Sequence, residues 1–278
     1  MMIKSKSPGF RISSLAKEFF MGLFVFYLVV PMVLVLIGSF GKKWFGTPFP
    51  EGFTLEWFVD VFTNPIFTRA LRMSFFIAIM TVTVNAAIGI PAVYAIYVSR
   101  HRFLKRFFDN LVIFPIAVPP LVMGMGLIQA YNWPFFSMVG TWEILLAAHT
   151  VFTIPFMVKP IMANLQMINW EELNEAAESL GSSSLFKTRH VLLPNLLPGI
   201  LAGSLMTFSI SLGEFQLAVL LSGSLTQTYP VALYQAFYFP TGFACSATTL
   251  LLVAALFSLW GLTFLMRLTG IRREEFAL

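Results

Sequence analysis

Cysteine occurs once, at Cys245, so the chain holds no internal disulfide and no cysteine-ligated metal cluster. Histidine occurs three times, at scattered positions without a metal-ligand spacing. Charge is scarce: 11% of the 278 residues are charged, against 58% hydrophobic with 31 Phe, which excludes an ordinary soluble domain. A P-loop is missing too. The nearest approach, Gly38 to Lys43, ends in Gly41-Lys42-Lys43 and lacks the first glycine and the Ser or Thr that would meet magnesium. No soluble stretch is large enough to fold around a nucleotide. No nucleophile stands with a base, so the chain has no catalytic residues and is not an enzyme in its own right.

What is present is a series of apolar runs, each near the length of about 20 residues that a membrane-crossing helix needs. Six are predicted: Phe19 to Phe40, Met73 to Val98, Asn110 to Trp133, Ile144 to Val158 with its flanks, Leu196 to Leu221 and Ala247 to Met266. The fourth is the shortest, with His149 and Lys159 inside or beside it. Basic residues then set the orientation, because short cytoplasmic loops carry the Lys and Arg excess. Lys4, Lys6, Arg11 and Lys17 precede the first run. Arg100, Arg102, Lys105 and Arg106 lie between the second and third, and Arg267, Arg272 and Arg273 follow the sixth. With six spans all of these fall on one side, together with Lys187 and Arg189. The loops Trp133 to Glu143 and Ser222 to Ser246 contain neither Lys nor Arg, while Lys42 and Lys43 are an exception outside, diluted by Glu51, Glu56 and Asp60 in the same loop. Both termini are therefore expected in the cytoplasm, and the net charge of +5 reports topology rather than nucleic-acid binding. The first run is too long, and too clean of a small-residue cleavage site, for a removable signal, so it reads as a retained span.

Between the fourth and fifth runs lies a polar insert. Asn169, with Glu172 three residues on, reads as a helix cap, and Glu171, Glu172 and Glu175 cluster toward the positive end of the helix dipole. Leu173, Ala176, Ala177 and Leu180 recur at helical spacing, Gly181 stands where a left-handed cap ends the helix, and Ser182 to Ser184 begin a second turn. Glu175-Ala176-Ala177, three residues, Gly181, nine residues, Val191, one residue, Leu193-Pro194 resembles the EAA loop of ABC-importer permeases at every spacing. The resemblance implies an all-α transmembrane chain of the six-helix type I ABC importer permease (MetI-like) fold. It places a cytoplasmic segment at 1–18, the six-span domain at 19–268 with the coupling loop at 169–195, and a cytoplasmic tail at 269–278. It further implies that Glu175, Ala176, Ala177 and Gly181 form a docking surface for an ATP-hydrolysing subunit, with Leu193 and Pro194 closing the motif. The implied partners are ABC ATPase subunits, a second permease that is a paralogue or an identical copy, and a periplasmic or lipid-tethered substrate-binding protein. The implied place is the bacterial inner membrane. This chain would then need no cofactor, ATP and magnesium being bound by the partner ATPase.

Glu214, in Ser209-Ile-Ser-Leu-Gly-Glu-Phe-Gln216, is the acid that stands well inside an apolar run. A carboxylate there costs about 2.5–3.5 kcal/mol unless something compensates it. Two roles are open: lining the path with Gln216 and Ser211 to meet a cationic substrate group, or a structural or gating hydrogen bond, the stronger of the two. Asn85 and Gln129 read as helix-packing donors. Gly199 and Gly203 form a small-residue step for close packing within the chain or between subunits. Prolines 91, 115, 119, 120, 155, 160 and 198 each remove a helical hydrogen bond, a cost that transporters absorb at cavities. The aromatic stretch Thr226 to Gly242 reads as an interfacial or re-entrant helix. Ser211-Leu-Gly-Glu-Phe215 and Thr226-Gln-Thr-Tyr-Pro230 resemble the branch of permeases for spermidine and putrescine, 2-aminoethylphosphonate and ferric iron. Tyr234 to Tyr238 and Thr241 to Cys245 resemble most the aminoethylphosphonate members, while Gly213 stands where the polyamine members often carry Asp. An ion-coupled secondary transporter is the competing class, but it would show repeated halves and embedded charge pairs, and this chain has neither.

Overall fold

The computed structural model describes residues 9–44, 46, 47 and 49–268. Lys4, Lys6, Arg272, Arg273 and the tail 269–278 lie outside the described residues, as do the side chains of Arg11 and Arg267. Twelve α-helices follow in order among the described residues: α1 Gly9–Ser39, α2 Glu56–Thr63, α3 Pro65–Val98, α4 Arg102–Ala117, α5 Pro120–Tyr131, α6 Trp142–Met167, α7 Trp170–Ser179, α8 Ser184–Lys187, α9 Leu193–Gly213, α10 Gln216–Leu221, α11 Tyr229–Gln235 and α12 Thr241–Leu268. Two small antiparallel hairpins, β1 Gly41–Lys43 with β2 Glu51–Phe53 and β3 Asn132–Trp133 with β4 Phe136–Ser137, punctuate the loops. Five helical segments are long and apolar enough to cross a membrane, and a sixth span arises if the bent pair α4 and α5 counts as one.

That pair corrects the expected third span. The run from Asn110 to Trp133 is not one helix. It breaks between Ala117 and Pro120 with a bend of 98°. Two consecutive prolines explain the break: Pro119 forces Val118 out of the helical region, to φ −92°, ψ 123°, and Pro120 restarts a helix at a position where no amide donor is required. The other prolines inside spans, such as Pro91, Pro155, Pro160 and Pro198, are carried within unbroken helices. The fourth span is longer than its clean apolar run, because α6 starts at Trp142 and passes Lys159 to reach Met167.

The chain divides into two compact units. The first comprises residues 1–63 and 236–250. In it the Ser246 hydroxyl donates to the Ser39 carbonyl at 3.1 Å and the Trp57 indole donates to the Gly41 carbonyl at 2.9 Å, tying the β1–β2 loop and α2 to the end of α1 and the start of α12. The second unit, residues 64–235 and 251–278, holds the core formed by α3, α6 and α9. Gly199 and Gly203 allow α9 to lie on α6: a Cβ at Gly203 would stand 2.8 Å from the Met157 carbonyl oxygen, and one at Gly199 would stand 2.8 Å from that of Pro160. The small-residue step is thus an intrachain contact. Ile161, Leu165, Trp170, Leu192 and Leu196 close one end of this core, and Ile77, Leu145, Leu217 and Leu221 close the other.

Candidate functional site

At the Leu165 end of the core, the polar insert forms a helical hairpin. α7 begins at Trp170 as expected, but the Asn169 side chain makes no capping bond. Burial of Trp170, packed edge-on against Tyr94 at 5.8 Å, fixes the helix start instead. The other end follows the expectation. Gly181 adopts φ +76°, its amide donates to the Glu178 carbonyl at 2.9 Å, and the Ser182 amide reaches back to the Ala177 carbonyl at 3.0 Å. These two bonds are the Schellman closure that a left-handed glycine permits. The Ser183 hydroxyl then accepts from the Phe186 amide and starts α8.

The expected apolar stripe is divided. Trp170 and Ala177 face inward, and Ala177 is only 8% exposed, so it adds little to the outward surface of α7. Leu173, Glu175, Ala176 and Leu180 face outward, Leu180 at 85% exposure, and Leu185 and Phe186 on α8 are exposed as well, Phe186 stacking on His190. A clasp holds the two helices at their angle. The Lys187 ammonium donates to Glu178 Oε1 at 2.6 Å and to Asn174 Oδ1 at 2.8 Å, and the Asn174 amide donates to Glu178 at 3.0 Å. The hydrogen bond from Lys187, with help from Asn174, lowers the Glu178 carboxyl pKa below its usual value. After Lys187 the helix passes through a π-turn, Thr188–Leu192, and enters α9 without a break, so Pro194 marks an irregular turn in a continuous helix rather than a fresh start. The turn serves the proline. Pro194 offers no amide, and the Asn195 side chain donates to the Val191 carbonyl at 2.7 Å. Leu193 is half-buried and Pro194 is exposed.

The basic link between α3 and α4 lies at this same end. Arg100, Arg102 and Lys105 share a cleft of about 650 Å³ with Trp170, Glu171, Asn174 and Glu175. At the opposite end of α6 the two loops that lack Lys and Arg meet, through the Gly140 amide donating to the Leu221 carbonyl at 2.8 Å and the Thr226 hydroxyl donating to the Gly140 carbonyl at 2.8 Å.

The chain stops being helical at Glu214, so the fifth span ends at Gly213 rather than continuing to Leu221. Glu214 is 7% exposed, and its two oxygens accept from the Leu217 and Ala218 amides at 2.8 and 3.0 Å, capping α10. Its Oε2 lies 3.7 Å from His149 Nε2, and His149 Nδ1 lies 2.8 Å from the Ser211 hydroxyl. Beneath them the Thr153 hydroxyl donates to the His149 carbonyl and accepts from Asn85 at 2.8 Å, so the polar cluster runs from α9 through α6 to α3. Bonds to a charged group contribute about 1.5–3 kcal/mol each, so the two amides alone offset an insertion cost of about 2.5–3.5 kcal/mol. Ser211 and Glu214 come together as expected. Gln216 and Gln129 do not join them, since both are exposed. His149, the centre of the cluster, was visible in the sequence only as a blemish in the fourth span. A histidine four residues before a threonine in an apolar helix was the signal.

Residues 86–271 match the family described as binding-protein-dependent transport system inner membrane component. The chain is similar to the spermidine/putrescine transport system permease protein PotC of Haemophilus influenzae, 29% identical over 75% of this chain and 79% of that protein. It is equally similar to the putative 2-aminoethylphosphonate transport system permease protein PhnV of Salmonella paratyphi A, 29% identical over 76% and 78%. Among solved structures, a chain of the bacterial alginate ABC transporter in complex with an alginate pentasaccharide-bound periplasmic protein shares the fold. Its TM-score is 0.73 at 17% identity, over 93% of this chain and 96% of that one. A chain of the inward-facing MetNI methionine ABC transporter shares it with a TM-score of 0.62 at 19% identity, over 74% and 97%. An α-helical membrane chain with this fold and this match belongs to the family of binding-protein-dependent transport system inner membrane components, the permease subunits of ABC importers.

Proposed function

We propose that this chain forms half of the translocation path of an ATP-driven importer and is coupled to a separate ATPase through α7, with Glu175, Ala176, Gly181 and the Leu193-Pro194 turn as the working parts of the loop. One observation carries the reading. Leu173, Ala176, Leu180, Leu185 and Phe186 are exposed apolar side chains on a polar hairpin whose angle is clasped by Lys187. Ala177 contributes from beneath by letting α7 lie close to the body. ATP and magnesium belong to the partner, and a second permease and a periplasmic or lipid-tethered binding protein complete the assembly. The bacterial inner membrane is the site, with both termini on the hairpin's side. The shared cleft of the basic Arg100 to Lys105 link and the hairpin supports that orientation.

The substrate is a small polar solute such as 2-aminoethylphosphonate. Glu214 is buried and holds two backbone amides, so it is not available to a cationic solute, which favours the phosphonate over a polyamine. The polyamine reading draws on equal identity to the Haemophilus protein, and a ferric iron reading on sequence resemblance alone. Uptake of labelled 2-aminoethylphosphonate and putrescine in cells tests both levels. Uptake that survives collapse of the proton gradient and stops on ATP depletion is expected. Uptake abolished by the uncoupler with ATP intact would return the chain to ion-coupled transport.

A further inference from the structure

Arg69 and Arg72, like Lys42 and Lys43, depart from the charge pattern of the other loops. α3 runs 34 residues, and its Tyr97–Val98 end shares the cleft with the hairpin. Arg69 stands 29 residues before Val98, about 43 Å along the helix and away from the hairpin, whereas the loops 133–143 and 222–246 carry no Lys or Arg. Arg69 lines a cavity of about 270 Å³ with Ile66, Ala70, Ser224, Gln227 and Gln235. Ile66, Arg69 and Ala70 share one face of α3, and Ser224, Gln227 and Gln235 come from the segment after α10. That segment is pinned on α3 by the Tyr229 amide donating to the Ser74 hydroxyl at 2.7 Å. Among the described residues neither the Arg69 guanidinium nor the Ser224, Gln227 and Gln235 side chains have a hydrogen-bond partner, and no carboxylate lines the cavity.

We propose that Arg69, Ser224, Gln227 and Gln235 form an anion-binding subsite at the external mouth, which takes the phosphonate, phosphate or carboxylate head of the transported solute. The subsite rests on the importer-permease reading. A planar guanidinium with five donors matches a tetrahedral or planar oxyanion, and the amides and hydroxyl supply further donors around it. The volume lies just under the range of about 300–1,000 Å³ typical of whole-ligand pockets, which suits a head group. A cationic polyamine meets like charge here.

The test uses the purified transporter with its co-purifying subunits and methylphosphonate as the probe, followed by phosphorus NMR line broadening. Saturable binding is expected, displaced by 2-aminoethylphosphonate and not by putrescine. R69Q lowers the affinity roughly tenfold, R69K less, and R72Q, outside the cavity, within about twofold. Gln235→Glu, which keeps Arg69 and adds a negative wall, abolishes the same signal and covers the case in which R69Q does not fold. Binding unchanged in both R69Q and Gln235→Glu overturns the subsite. Unchanged binding with weakened association of the substrate-binding protein overturns it too, and assigns Arg69 to protein docking. A wild-type complex that keeps its ATPase but shows no saturable methylphosphonate binding overturns the subsite alone, whereas a wild-type chain without any ATPase strikes at the importer reading.

Discussion

At the scale of single residues, Gly181 and Glu214 carry the most definite consequences. A side chain on Gly181 meets no atom within 4 Å, so the cost of replacing it is backbone strain at φ +76° alone. Gly181→Val should therefore cost about 1–2 kcal/mol of local stability and Gly181→Asn distinctly less, because Asn tolerates the left-handed region. Hydrogen exchange of the amides of Gly181 and Ser182 reads the difference. Glu214→Ala removes two helix-capping bonds and should destabilise the protein by about 3 kcal/mol, seen as a lower thermal midpoint in detergent. Glu214→Gln keeps one acceptor oxygen and should leave the half-saturation for 2-aminoethylphosphonate and for putrescine unchanged while turnover falls. A selective rise for putrescine would mean that the carboxylate meets the solute. The sequence made Gly181 legible, since a left-handed cap is a local property of the chain. It left the Glu214 partners undetermined, since His149 lies 65 positions away and joins Glu214 only through the packing of α6 on α9.

At the scale of elements, the hairpin is a clasped pair and α9 is seated by glycines. Glu178 titrates below its usual value because Lys187 holds it, so the clasp contributes fully above the ordinary carboxylate pKa and is lost as pH falls through the lowered one. Exchange protection in α8 should be constant from neutral pH down to about 5, decline below the usual Glu value near 4.3, and lose this pH dependence in Glu178→Gln. Gly203→Leu should drive α9 off α6 and cost about 1–3 kcal/mol or more, because the atoms in the way are backbone and cannot swing aside. A lowered thermal midpoint without loss of helical circular dichroism is the expected result. Periodicity and length revealed five of the spans, since burial in lipid demands an apolar run whatever the tertiary fold. The 98° break in the third was not legible, because Pro119-Pro120 is compatible with either a kink or a stop until neighbouring helices decide. The burial of Ala177 was not legible either: helical spacing groups it with Leu173 and Leu180, while the direction of the body is set by Trp170.

At the scale of the whole molecule, the chain is a permease with a polar hairpin at one end of its core and, at the other, the loops 133–143 and 222–246, which lack Lys and Arg. The polar end joins the Arg100 to Lys105 link to α7, and the other end closes over Gly140 and Thr226. Coupling through α7 places a demand on one exposed small side chain. Ala176 is exposed between Leu173 and Leu180 on the outward face of α7, whereas Ala177, one residue on, is buried. The most direct measurement is gentle solubilisation from the native membrane and mass spectrometry of what co-purifies with the wild type, Ala176→Asp and Ala176→Ser. An ATPase and a second permease should accompany the wild type and Ala176→Ser, and the ATPase alone should be lost from Ala176→Asp. An ATPase retained in full by Ala176→Asp, or absent from the wild type, would contradict coupling through this helix.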